Sequence, residues 1–248
     1  MDKVTLGLIG GLAAGLATIL GSLLIFKRSH SRLNLLPGLS LDFAIGMMLA
    51  ASAFSLIGPA FSSLPHPNGE AYFHVSLALL GGVAFIQVLG RLIGRFQSGS
   101  HQKAALFVTA MMLHNLPEGL AAGAALTATD QAQAWSILGA ISLQNLPEGF
   151  TTALAFSTLG MSLPWAFAGA AMSGVVEILG GLVGGMITAS VEAALPYLLA
   201  FAGGAMISVT LTEVWARIKE KSFAFLLKKD FVLGSMTVVM LQFFFSGN

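Results

Sequence analysis

His114 and Glu118 stand four residues apart in HNLPEG (114–119), and Gln144 and Glu148 repeat that spacing in QNLPEG (144–149). Residues four apart share one face of a helix. One copy therefore offers an imidazole with a carboxylate, the other an amide with a carboxylate. Pro117 and Pro147 supply no N–H, so the carbonyls of Leu113 and Leu143 lose their helical partners and a broken helix is expected beside each acid. A lone Asn-x-Pro in an apolar helix is commonly a kink or an amide bridge between helices. Two copies with an acid at matched positions favour one site built from two halves.

Carboxylates and amide oxygens suit hard cations, whereas imidazole favours zinc, iron and other first-row metals. His114 with Glu118 and Glu148 thus points to a borderline divalent metal over Na⁺ or K⁺; taken alone, His114 would read as a proton relay or a helix-bridging group. Glu177 and Glu213 also fall within apolar segments that hold no Lys or Arg at comparable depth. A charge at mid-bilayer costs about 2.5–3.5 kcal/mol even on lenient scales. Either the acids are partly protonated, or a bound ion supplies the counter-charge. Glu213 reads equally as an interfacial acid. His30, His66, His74 and His101 lie at segment ends and read as solvated.

The segments that carry these groups avoid water. Of 248 residues 56% are hydrophobic and 9% charged, against about a quarter charged in a soluble domain. The 29 glycines and 11 methionines suit close-packed membrane helices. The absence of cysteine excludes disulfides and thiolate metal sites. A net charge of +1 gives no basic surface for nucleic acid.

A spanning helix needs about 20 apolar residues. On that rule spans are expected at 4–26, 40–62, 72–95, 103–126, 132–156, 163–188, 193–215 and 230–246, in one membrane domain over 1–248. The first is too long for a signal-peptide core of about 7–15 residues and reads as retained. No period-2 alternation supports a β-barrel. Lys27, Arg28, Arg32, Arg91, Arg95, Lys103, Arg217, Lys219, Lys221, Lys228 and Lys229 fall at alternate connections, with Lys3 alone on the other side. The positive-inside rule then makes that side cytoplasmic and puts both termini outside an inner (plasma) membrane. Both motifs start about eleven or twelve residues into oppositely directed spans, which places them near mid-depth in an inverted repeat. The expected fold is all-α integral membrane, eight helices in a 3+2+3 inverted-repeat arrangement.

HNLPEG in the fourth span, NLPEG in the fifth and VVEILGGLVGG in the sixth resemble the Zrt/Irt-like (ZIP) divalent metal transporters, in the compact bacterial form, over essentially the whole chain. The resemblance implies zinc uptake toward the cytoplasm, with Fe²⁺, Mn²⁺ or Cd²⁺ also accepted, by an elevator-like alternating motion. It makes His114, Glu118 and Glu148 the primary metal ligands, with Met48 approaching the same metal. Asn115, Asn145 and Glu177 match a second, adjacent metal position bridged by Glu118 and Glu148, and Glu213 an acid near the cytoplasmic exit. The chain departs from the family pattern at Gln144, where many members have His, at Asn145, where two-metal members can have Asp, and at Thr212, where His is common. It also has His101 alone in place of a His-rich third connection.

No cofactor is expected beyond the transported metal, and the partners are the ion and the bilayer. The Gly-rich faces at 180–185 and 201–206 are expected to pack within one protomer, a homodimer seam being the alternative. Rival readings are a passive cation channel, a carrier of organic solutes, and an intramembrane metal-dependent enzyme, for which HExxH is absent.

Overall fold

Short polar residues start the helices, as their capping chemistry requires. In the computed structural model, Asp2 accepts the backbone N–H and the hydroxyl of Thr5, both at 2.8 Å, and these bonds hold its carboxyl below the usual carboxylate range. Ser40, Asn68 and Asp130 cap later helices in the same way, accepting from the N–H groups of Phe43, Ala71 and Gln133. The structure describes residues 1–27, 40–64, 66–95, 115–128 and 130–246. Helices run over Lys3–Leu23 (α1), Leu41–Ser62 (α2), Gly69–Arg95 (α3), 115–125 (α4), Gln131–Thr158 (α5), Leu163–Ser190 (α6), Leu195–Lys221 (α7) and Lys229–Ser246 (α8). No strand occurs among the described residues.

Among these residues, α1 with the turn that follows it, α2, α3, α6 and α7 are long and apolar enough to cross a membrane. Helix α5 has the length, but Gln131, Gln133, Gln144, Asn145 and Glu148 lower its hydropathy. Large apolar side chains such as Leu20, Phe54, Leu80, Leu179 and Phe243 face outward. Trp135, Trp165 and Trp215 are also exposed, near helix ends, where amphipathic rings sit at a membrane–water boundary.

Backbones meet where glycine leaves room. A Cβ on Gly7 would stand 2.5 Å from Gly185, one on Gly181 2.4 Å from Gly11, and one on Gly15 2.2 Å from the Gly174 carbonyl. Helices α1 and α6 therefore run antiparallel in contact. The same crowding joins α4 to α6 at Gly123 and Gly181, α2 to α8 at Gly46 and Phe231, and α3 to α7 at Gly82 and Phe201. Glycine contacts thus tie α1, α4, α5 and α6 together, and α2, α3, α7 and α8 together. Larger side chains fill the space between the groups, including Leu56, Ile137, Ile141, Leu199 and Met206.

Two expectations meet these observations directly. The Gly-rich runs at 180–185 and 201–206 pack against helices of the same protomer. The break expected at Pro147 does not occur: α5 is continuous through it; the turn before Pro117, with Leu113, lies outside the described residues. Neighbouring membrane helices can support a proline without unwinding the helix that contains it. Irregularity appears instead in α2, as π-helical turns over Ala51–Ile57 just before Pro59. Pro59 cannot donate to the Ser55 carbonyl four residues earlier, and wider turns accommodate that loss.

Candidate metal site

Four helices converge on one carboxylate. Glu177 Oε1 in α6 accepts from the Thr18 hydroxyl of α1 at 2.6 Å and from the Asn115 amide of α4 at 2.7 Å. Glu177 Oε2 accepts from the Asn145 amide of α5. The remaining Asn145 amide hydrogen goes to the Ala14 carbonyl at 3.3 Å. The final glycines of the two motifs permit this closeness. A Cβ on Gly119 would stand 2.2 Å from the Glu177 carbonyl oxygen, and one on Gly149 2.0 Å from that of Thr18.

The contacts also fix directions. Gly119 meets Glu177 and Gly123 meets Gly181, so α4 runs with α6. Ala14 meets Asn145 and Thr18 meets Gly149, so α5 runs with α1. Since α1 and α6 are antiparallel, the two motif copies run in opposite directions and meet at Glu177.

Glu118 and Glu148 each lie three residues beyond their asparagine, with 1% and 4% of their surface exposed. Glu118 is within electrostatic reach of Glu148 and Glu177, and stands beside the Gln144 amide without hydrogen-bond geometry. The Asn115 amide lies beside Glu148. Gln144 directs its Nε2 to the Met206 thioether at 3.8 Å, across to α7. Both oxygens of Glu118, Asn115 Oδ1, Gln144 Oε1 and Asn145 Oδ1 are buried and accept no hydrogen bond. Burying an unsatisfied neutral acceptor costs about 1–3 kcal/mol, and a charged one more. Acceptors gathered from both motif copies are complemented by a cation or by protons.

Among the described residues no three His, Cys, Asp or Glu side chains are grouped so as to hold a metal ion. Ligation there would draw on amide oxygens as well as the carboxylates. His114 lies outside the described residues, immediately before Asn115. Met48 is buried in α2 just ahead of the π-helical turns. Glu213 is not part of the cluster: it is half-buried near Arg217, which pairs with Asp42 of α2 at 3.1 Å and with Glu220 at 2.7 Å. His66 and His74 are exposed, as expected, and His30 and His101 lie outside the described residues.

Thr18, Ala14 and Met206 are partners that motif reading does not single out. Only Thr18 leaves a trace, as a hydroxyl among the small residues Gly7, Gly11, Ala14 and Ser22 along one side of α1.

Long apolar helices with large apolar side chains facing outward define a multi-pass membrane protein. The family model for the ZIP zinc transporters matches residues 94–245. The chain is 36% identical over 221 residues to zinc transporter GufA of Myxococcus xanthus, covering 84% of this chain and 86% of that protein. It is 37% identical over 220 residues to zinc transporter ZIPB of Bordetella bronchiseptica (83% and 70%), and 27% identical over 302 residues to zinc transporter ZIP11 of Xenopus tropicalis (86% and 89%). The chain belongs to the ZIP family, and is a membrane metal transporter, not an enzyme.

Proposed function

We propose that this protein carries Zn²⁺ into the cytoplasm across the inner (plasma) membrane by alternating access, with the ion held between the two motif copies. The observation that carries the reading is the set of buried, unpartnered oxygens contributed by Glu118, Asn115, Gln144 and Asn145. His114, Glu118 and Glu148 are the primary ligands in this reading, aided by Gln144 and Met48, and they replace the water that the ion gives up on entry. Zn²⁺ takes nitrogen and carboxylate ligands at about 2.0–2.2 Å. Fe²⁺, Mn²⁺ and Cd²⁺ are secondary substrates, since the same donor types serve them. Protons compete for the same lone pairs, so protonation of Glu118 or Glu148 assists release.

Eight spans with both termini outside form the proposed topology, with the motif helices as inverted counterparts. The moving unit is α1, α4, α5 and α6, whose backbones touch through glycine; α2, α3, α7 and α8 form the frame. The sliding surface is the apolar layer around Ile137, Ile141 and Met206, where side chains meet between the two glycine-joined groups. Glu213, beside Arg217, serves the cytoplasmic exit.

Zinc uptake into proteoliposomes tests the reading. The expected flux is saturable and substrate-specific, and Glu118→Ala or His114→Ala abolishes it. Undiminished flux in either variant contradicts the ligand assignment. Large single-channel currents would replace the carrier by a channel.

A further inference from the structure

Glu177 differs from Glu118. It accepts three hydrogen bonds, whereas Glu118 has the Gln144 amide beside it but accepts none in hydrogen-bond geometry. An ionised carboxylate has about four acceptor positions, so most of its capacity is already taken. Any cation on Glu177 would also sit beside two amide N–H groups, whose hydrogens carry positive partial charge.

The amide orientations follow from these bonds. Asn145 spends both amide hydrogens, one on Glu177 Oε2 and one on the Ala14 carbonyl. Turning that amide over would set its oxygen against two acceptors, so the orientation is fixed. Asn145 Oδ1 is left at the other corner of the group, buried and unpartnered. Asn115 lies between two acids, its nitrogen on Glu177 Oε1 and beside Glu148, and its oxygen is unpartnered.

We propose that Glu177 is a positioning residue and not a metal ligand: with Thr18 it pins the amides of Asn115 and Asn145 so that their oxygens serve the cation site, and the protein holds one metal ion per protomer. This rests on the metal-transport reading and departs from the two-metal arrangement that the resemblance implies. Asn145 is the determinant of the count. Asparagine-to-aspartate replacement at 145 exchanges a donor for an acceptor, so that two carboxylates and the Ala14 carbonyl face one another. Only a cation or a proton between them relieves that contact.

Zinc bound to purified, detergent-solubilised protein, counted by elemental analysis and calorimetric titration, tests the proposal. The expected counts are one per protomer in the wild type, two in Asn145→Asp and one in Glu177→Gln. The last variant should bind about 10–100-fold more weakly, the usual cost of losing a partner that orients a ligand. Two zinc ions in the wild type, falling to one in Glu177→Gln, would overturn it. So would an Asn145→Asp variant that still holds one. If Glu177→Gln does not fold, the wild-type and Asn145→Asp counts decide alone. No zinc in any variant would instead remove the transport reading itself, and the proposal with it.

Discussion

Asn115 and Asn145, thirty residues apart and on antiparallel helices, donate to opposite oxygens of the same carboxylate, that of Glu177. The repeated NLPEG phrase is therefore joined physically as well as textually. One acid from α6 holds the two copies at a common depth, and Thr18 adds α1 to the same knot.

Thr18→Val tests that knot. It keeps the shape but removes a buried hydroxyl 2.6 Å from Glu177. Losing a hydrogen bond of this kind costs about 1–3 kcal/mol. Thermal unfolding in detergent should show the loss, and weaker zinc binding should accompany it. An unchanged melt and unchanged affinity would mean that the bond is not formed in the working protein.

Gly149→Ala should also destabilise, for a steric reason. Its Cβ would stand 2.0 Å from the Thr18 carbonyl oxygen, so α1 and α5 must separate. Overpacking of this sort costs about 1–3 kcal/mol. Gly90 in α3 has nothing within 4 Å of a built Cβ. Gly90→Ala is therefore the matched control, with no loss of thermal stability.

The pairing of Arg217 with Asp42 predicts a measurable coupling between α7 and α2. The two side chains are 16% and 11% exposed at 3.1 Å. A double-mutant cycle of Arg217→Met and Asp42→Asn should give an interaction energy of about 0.5–3 kcal/mol. Additive single effects would show the pair to be idle.

These cases mark what could be read from the chain alone. Glu118 and Glu148 were legible because an acid repeated at fixed spacing in an apolar segment has few structural uses. The all-α class followed from long apolar runs without period-2 alternation. The partners of Glu177 were less accessible, because a threonine within a small-residue stripe looks like packing until a neighbouring helix supplies its acceptor. Arg217 appeared only as one of the basic residues fixing orientation, since its partner lies 175 positions earlier in the chain. Pro147 misled in one respect: the N–H that it lacks is a local fact, but whether a helix breaks there depends on the neighbours that support it.

Gln144 is where the two motif copies differ in donor type, an amide against the imidazole of His114. Its amide is held toward Met206, leaving a neutral oxygen where the first copy has the imidazole of His114. Gln144→His should tighten zinc binding by about tenfold or more, equivalent to about 1.4 kcal/mol. Turnover should slow as release becomes limiting, which a split between binding affinity and maximal uptake rate would reveal. Equal or weaker affinity would place position 144 outside the coordination sphere.

The most direct test of the proposed metal site is the position of the ion itself. Zinc anomalous scattering from crystals of the protein should give a peak between Glu118 and Glu148, with carboxylate oxygens at about 2.0–2.2 Å. A peak elsewhere, such as beside Glu213, with none between the two motif glutamates would contradict the account.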